Sequence, residues 1–181
     1  MSVIRLRDIR PNDAAALAEL NDAATPAVNT LGVEGMAALL AICDVTLVAT
    51  GANGATGANG ANGNILAFVL SMGPGQPYAS ENYRWFEARG GAHQYIDRIV
   101  VAPQAAGRGL GRALYASVFD RAMAAGRPEI TTEIILEPPN PESAAFHRRM
   151  GFRQISEQLI RGGTVRVALM TRPASEMPPF A

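Results

Sequence analysis

An α+β fold with a mixed, mostly antiparallel sheet and a central βαβ unit is what this sequence predicts. Two observations carry the prediction. β-branched strand-like runs pair as hairpins at both ends of the chain. Stretches of helical period separate the strands in the middle. The 181 residues amount to one ordinary domain, read here as 1–173 with a tail at 174–181. Hydrophobic residues at 48% against charged residues at 18% exclude a disordered or fibrous chain.

Val3 to Ile9 alternates as a first strand. Pro11-Asn12-Asp13 opens a helix that continues from Ala14 to Leu20. Asn21 to Thr30 is a polar loop broken by Pro26, and Val33 to Ile42 is a short second helix. Val45–Thr50 and Ile65–Met72 are strands. Between them, residues 51–63 read GANGATGANGANG, a low-complexity tract without a large apolar side chain. Asn-Gly favours positive φ, so the tract is expected to be a long hairpin loop. It has no Asp, so it does not fit a calcium-binding repeat.

Gly73 to Pro77 is a Gly/Pro break, and Ser80 to Gly91 is a short helix or a structured loop carrying Tyr83, Trp85 and Phe86. Gln94–Val101 is a strong strand. Gly107 to Ala125 reads as a long helix with Leu110, Leu114, Val118 and Ala122 on one face. Glu129–Leu136 is a strand, Glu142–Met150 a helix, and a last hairpin turns at Gly162-Gly163 with Thr164–Thr171 as its second arm.

Sixteen basic residues balance sixteen acidic ones, which argues against a general nucleic-acid binder. Every basic residue is Arg, so lysine chemistry is excluded. The single cysteine, Cys43, rules out an internal disulfide or a cysteine-rich metal site, and no metal is expected. The N-terminus lacks an apolar signal core, and no run approaches the ~18 apolar residues of a membrane span. A protein of the cytoplasm, without membrane or nucleic-acid partners, is the expectation.

The stretch that carries chemistry is IVVAPQAAGRGLGRAL, Ile99 to Leu114. A buried strand runs into a Gly-rich turn and then a helix. Gly107, Gly109 and Gly111 leave backbone amides able to face an anion, the helix dipole favours negative charge there, and Arg108 and Arg112 add positive charge. A phosphate or pyrophosphate cradle follows from this; the structural alternative is a helix start that packs closely on its strand. Without Lys there is no Walker A loop, and the G-x-G-x-G spacing is not the dinucleotide fingerprint.

The pattern V-x-P-x-x-x-G-x-G-x-G-x-x-L resembles motif A of the GNAT superfamily of N-acetyltransferases. A second segment agrees: Asn140-Pro-Glu-Ser143-Ala-Ala-Phe146-His147-x-x-x-Gly151-Phe152 is similar to the family's following element. The likeness extends from about Val3 to Arg172. It implies the acyl-CoA N-acyltransferase fold, with acetyl-CoA between two splayed parallel strands, Gln94–Val101 and Glu129–Leu136. It implies that the pantetheine arm pairs with the backbone of Ile99, Val100 and Val101. The pyrophosphate would lie on Ala106, Gly107, Arg108, Gly109, Leu110, Gly111 and Arg112. Asn140 would bind pantetheine or hold the strand–helix junction, and Ser143 and His147 would lie near the thiol end. An acceptor amine would attack the thioester directly. Dimers are common among such proteins, so a homodimer is an expectation.

Two departures matter. The family has Gln or Arg where Ala106 stands, so one side-chain contribution to the anion grip is missing or replaced by Arg108 or Arg112. Many members have Tyr as the thiolate's general acid where His147 stands; His can do that work at neutral pH, or it can be a packing residue. Asp97 shares a strand face with Tyr95, Ile99 and Val101 by the period of two. A carboxylate there is costly unless paired, so it is either half of an ion pair with an Arg or a base for the amine. Glu133 is the rival base, or faces solvent. The acceptor, a small-molecule or amino-acid-like amine, is expected near Asn21, Tyr83, Trp85 and Tyr95; Trp85 and Phe86 could instead cap the core edge. A CoA-binding regulator without turnover is the alternative function.

Overall fold

Among the described residues, seven strands and five α-helices form in the order the sequence predicts. The computed structural model describes residues 4–51 and 64–175. The strands join one mixed, mostly antiparallel sheet in the order β1-β2-β3-β4-β5-β7-β6. They are β1 (Ile4–Asp8), β2 (Val45–Gly51), β3 (Asn64–Met72), β4 (His93–Val101), β5 (Glu129–Glu137), β6 (Arg153–Ile160) and β7 (Val165–Pro173). The helices are α1 (Ala14–Asp22), α2 (Gly32–Ile42), α3 (Glu81–Arg89), α4 (Leu110–Ala124) and α5 (Pro141–Arg149). The predicted loop 51–63 lies outside the described residues except for Gly51, which ends β2; the tail lies outside them from residue 176 on.

The chain divides into two compact units, Met1–Ser71 with Arg98–Ser117, and Met72–Asp97 with Val118–Ala181. In the first unit β1 and β2 pair antiparallel with Leu6 opposite Ala49, and β2 pairs with β3 through Leu47 opposite Val69. β2 and β3 are buried almost continuously rather than on alternate residues, as strands covered on both faces should be. β1 lies at the edge, and the expected alternation does not bury Leu6, which is exposed. Leu17 of α1 and Met36 of α2 are fully enclosed, each contributing about 1.5–3 kcal/mol of transfer free energy.

The start of α1 is fixed electrostatically. Pro11–Asp13 forms a single 3-10 turn. The buried Asp13 accepts from Arg7 Nη1 at 2.6 Å, from Arg7 Nη2 at 2.9 Å and from the Arg10 amide at 2.7 Å. Burial alone would raise the Asp13 pKa, but these donors outweigh it and hold the carboxyl below its ordinary value. α1 also runs two residues past its predicted end. Asn21 is helical and fully buried, because Arg98 Nη1 donates to its Oδ1 at 3.0 Å while its own amide donates to Asn29 O at 2.9 Å.

In the second unit β5 pairs antiparallel with β7, and β7 with β6. β4 and β5 pair in parallel over His93↔Glu129, Gln94↔Ile130 and Tyr95↔Thr131. Tyr83, Phe86, Tyr95 and Phe119 are among its enclosed side chains. The Ser80–Gly91 segment is a true helix. Ser80 accepts from the Tyr83 amide at its N-terminus, and Gly90 ends it at φ +76°. Glu81 Oε2 accepts from the Arg161 amide at 3.0 Å, and Asn82 Oδ1 accepts from Gln158 at 2.5 Å, so α3 is tied to β6 and the turn after it.

Asp13→Asn is expected to cost about 1–3 kcal/mol in urea denaturation at pH 7. Because the folded-state pKa is depressed, the contribution is present above the unfolded carboxylate value of about 4 and is lost as pH falls through the lower folded value. The stability gap between wild type and variant should therefore close below pH ~4; a gap unchanged to pH ~2.5 would contradict this account.

Candidate active site

Beyond β4, the Ala102 amide donates to Leu66 O at 2.8 Å and Pro103–Ala105 makes one 3-10 turn. Gly107 and Gly109 then adopt φ +72° and +74°. That conformation cannot continue an α-helix, so α4 starts at Leu110 rather than at the predicted Gly107. Ala113 N bonds Gly109 O at 3.0 Å. The amides of Leu110, Gly111 and Arg112 precede it and have no acceptor within the helix. A Cβ at Gly107 or Gly109 would meet no atom within 4 Å. Glycine is needed here for backbone conformation, and the space outside the turn is open. Leu110 is buried and anchors the turn, while Arg108 is exposed and Arg112 half-buried.

An open, amide-rich helix start, with Arg108 and Arg112 in the same stretch of chain, suits a pyrophosphate. Ala106 fits it less well, because its amide already donates to Pro103 O at 3.2 Å. On β4, Asp97, Ile99 and Val101 are half-buried while Arg98 and Val100 are buried, the alternation expected of the strand.

In the second unit two carboxylates meet two phenols. Tyr78 Oη donates to Asp97 Oδ1 at 2.7 Å, and Tyr95 Oη donates to Glu133 Oε2 at 2.7 Å. Glu133 is thus bonded and half-buried, not a solvent-facing residue. Tyr95 is fully enclosed. Burial, then the charges of Glu133 and Asp97, push its phenol pKa far up, so it remains a proton donor to Glu133 without releasing the proton. Tyr78 escaped the sequence reading because a lone Tyr after a Gly/Pro break carries no signal of a partner 19 residues on.

α5 begins with Asn140 Oδ1 accepting from the Ser143 amide at 3.1 Å, the junction-holding arrangement. His147 is buried against Phe146 and Phe152. Its Nδ1 lies 2.8 Å from Ser143 O and 3.3 Å from Ser143 Oγ. A carbonyl can only accept, so Nδ1 carries the proton, and in the neutral ring Nε2 is an acceptor. Burial lowers the His147 pKa, only partly opposed by the Ser143 carbonyl. This geometry describes a neutral packing imidazole, which weakens the expected role as thiolate acid.

Asn21 and Tyr83 offer no exposed surface to an acceptor. Asn21 is used by Arg98 and Asn29, as above. Tyr83 is enclosed, with its hydroxyl donating to Gly73 O at 2.9 Å and accepting from the Gln76 amide at 2.8 Å. Trp85 is half-buried, edge-on to Phe86 at 5.2 Å between centroids. Arg98, absent from the predicted site, proves to be the buried tie between β4 and the α1 end, with a second bond to Asn29 Oδ1 at 3.3 Å.

The sequence matches the model of the Acetyltransferase (GNAT) family over residues 53–152, more than half the chain. The chain belongs to that family. A Streptomyces coelicolor protein described as a phosphinothricin N-acetyltransferase is 44% identical over 57 residues, 32% of each chain, so the match spans about a third of that relative's length. The ribosomal-protein-S18-alanine N-acetyltransferase of Escherichia coli superposes with a TM-score of 0.68 at 16% identity, covering 99% of both chains. Arabidopsis thaliana NAA60, crystallised with acetyl-CoA, superposes with a TM-score of 0.70 at 20% identity, covering 94% of this chain and 98% of that one. At such identities these structures establish the acyl-CoA N-acyltransferase fold.

Two outcomes follow. Gly109→Glu should add about 1–2 kcal/mol of backbone strain and place a carboxylate beside the helix mouth. The folded variant should lose the thermal stabilisation that CoA gives the wild type; unchanged CoA affinity would refute the cradle. The His147 imidazole should titrate below its ordinary value in an NMR pH series. Because the unfolded chain then binds the proton more readily, stability should fall as pH drops through about 6.5 and recover above it. A midpoint above that value would contradict the neutral assignment.

Proposed function

We propose that this chain transfers the acetyl group of acetyl-CoA to a primary amine on a small or amino-acid-like acceptor. The observation that carries the reading is the positive-φ glycine turn that opens the first amides of α4 to an anion, within a chain of this family. The amides of Gly107 to Arg112 bind the pyrophosphate, with Arg108 and Arg112 adding charge. The backbone of Ile99, Val100 and Val101 pairs with the pantetheine amides as an added strand would. Asn140 holds the start of α5, and Ser143 fixes His147. When bound, acetyl-CoA supplies the thioester whose carbonyl carbon accepts the amine's lone pair. Asp97 takes the ammonium proton, with Glu133 as the second carboxylate beside Tyr95. The half-buried Tyr78 hydroxyl and the Asp97 carboxylate it bonds suit a compact cation better than an acidic or lipid acceptor.

The test couples binding to turnover. Acetyl-CoA at about 100 times its Kd should stabilise the protein by about 2.7 kcal/mol, read as a rise in Tm. Free CoA thiol should then appear in the presence of amines and not without them. Stabilisation with no turnover on a broad amine panel would leave a CoA-binding regulator instead; no stabilisation would remove the cofactor assignment.

A further inference from the structure

We propose that Tyr78 is a positioning residue that holds Asp97 as an oriented carboxylate on the acceptor side of the site. The segment Gly73–Ser80 thereby becomes part of the catalytic apparatus. The inference deepens the transferase reading above and rests on it.

The Tyr78 hydroxyl donates to Asp97 Oδ1 at 2.7 Å, a well-formed O–H···O hydrogen bond. Three contacts fix the segment that delivers it. Gly73 O and the Gln76 amide both bond the Tyr83 hydroxyl, at 2.9 and 2.8 Å. The Gly75 amide donates to Glu87 Oε2 at 2.7 Å. The Tyr78 ring tilts against Tyr83 with centroids 5.8 Å apart, and Tyr83 meets Tyr95 edge-on at 5.4 Å. The segment is thus clamped to α3 at both of its bends before it reaches Tyr78.

The two phenols of this segment and helix differ in what they serve. Tyr83 is enclosed and satisfies backbone groups, the pattern of a residue kept for folding. Tyr78 is half-buried and serves a carboxylate on the half-buried face of β4, the face that also carries Ile99 and Val101. A hydroxyl committed to that carboxylate fixes its rotamer. Tyr78, from the segment before α3, bonds Asp97, and the charge of Asp97 also acts on Tyr95 of its own strand, which in turn donates to Glu133 of β5.

The test is a kcat/KM–pH series on Tyr78→Phe, Asp97→Asn and the double variant, read by CoA thiol release. The probe acceptor is the primary amine that the wild type turns over fastest in a panel of alkylamines and amino-acid amides. Tyr78→Phe should lower kcat/KM about tenfold at every pH, through kcat and not KM, with acetyl-CoA affinity unchanged. In the Asp97→Asn background the same change should have no further effect. Turnover by Tyr78→Phe at the wild-type rate would overturn this inference and leave the transferase reading intact. Additive losses in the double variant would overturn it too. Absence of turnover by the wild type on every amine, despite CoA binding, would overturn both.

Discussion

Gly107 and Gly109 hold the chain at φ values that other residues adopt only at a cost, and most of the chemistry depends on that bend. It breaks the path from β4 into α4, so the helix begins at Leu110, three residues after the predicted Gly107 and where its apolar spacing starts. The delay leaves the first-turn amides unbonded by the helix itself, at the end of the dipole that attracts negative charge. Leu110, buried directly after the bend, converts a flexible glycine stretch into a fixed one. The proposed anion site would therefore rest on backbone geometry, which needs neither a lysine nor a polar side chain at Ala106.

β4 uses its two faces for different work. Arg98 points inward and is the donor to Asn21 and Asn29, which in turn hold the end of α1. Asp22 adds to the same tie by accepting from the Leu31 amide at 2.9 Å and the Gly32 amide at 3.2 Å, and these bonds keep its pKa low. The next residues outward, Asp97 and Ile99, sit on the half-buried face. A one-residue slip of this strand would exchange the buried guanidinium for the carboxylate, so the Arg98 network also fixes the register that presents Asp97.

The fold was legible in the sequence because its signals are periodic: the element order, the hairpins and the Gly-rich turn all appear as spacing. Asn140 drew notice only through the family resemblance, which left open whether it binds pantetheine or holds the junction; its bond from the Ser143 amide is a helix-start contact. What escaped was non-local. Tyr78 and Asp97 lie in different elements, and nothing in either neighbourhood announces the other. Asn21 looked like a loop residue because Asn is a poor helix former; Arg98, 77 positions away, supplies the bond that makes it helical. His147 occupied a position with a known role, but burial beside two phenylalanines and a carbonyl facing Nδ1 decide its protonation, and these are tertiary facts.

The remaining chemical question is the proton for the departing thiolate. His147 is poorly suited, since its ring is held neutral with Nε2 as an acceptor. Tyr95 is no better, because enclosure and two neighbouring carboxylates raise the cost of giving up its proton. A thiol of ordinary pKa, about 8.5, needs no strong acid at neutral pH, since it takes a proton from water. The demanding step is then the earlier one, making a protonated amine nucleophilic. In the proposed reaction that burden falls on a carboxylate near the attacking nitrogen, and Asp97 and Glu133 are the carboxylates to which Tyr78 and Tyr95 donate.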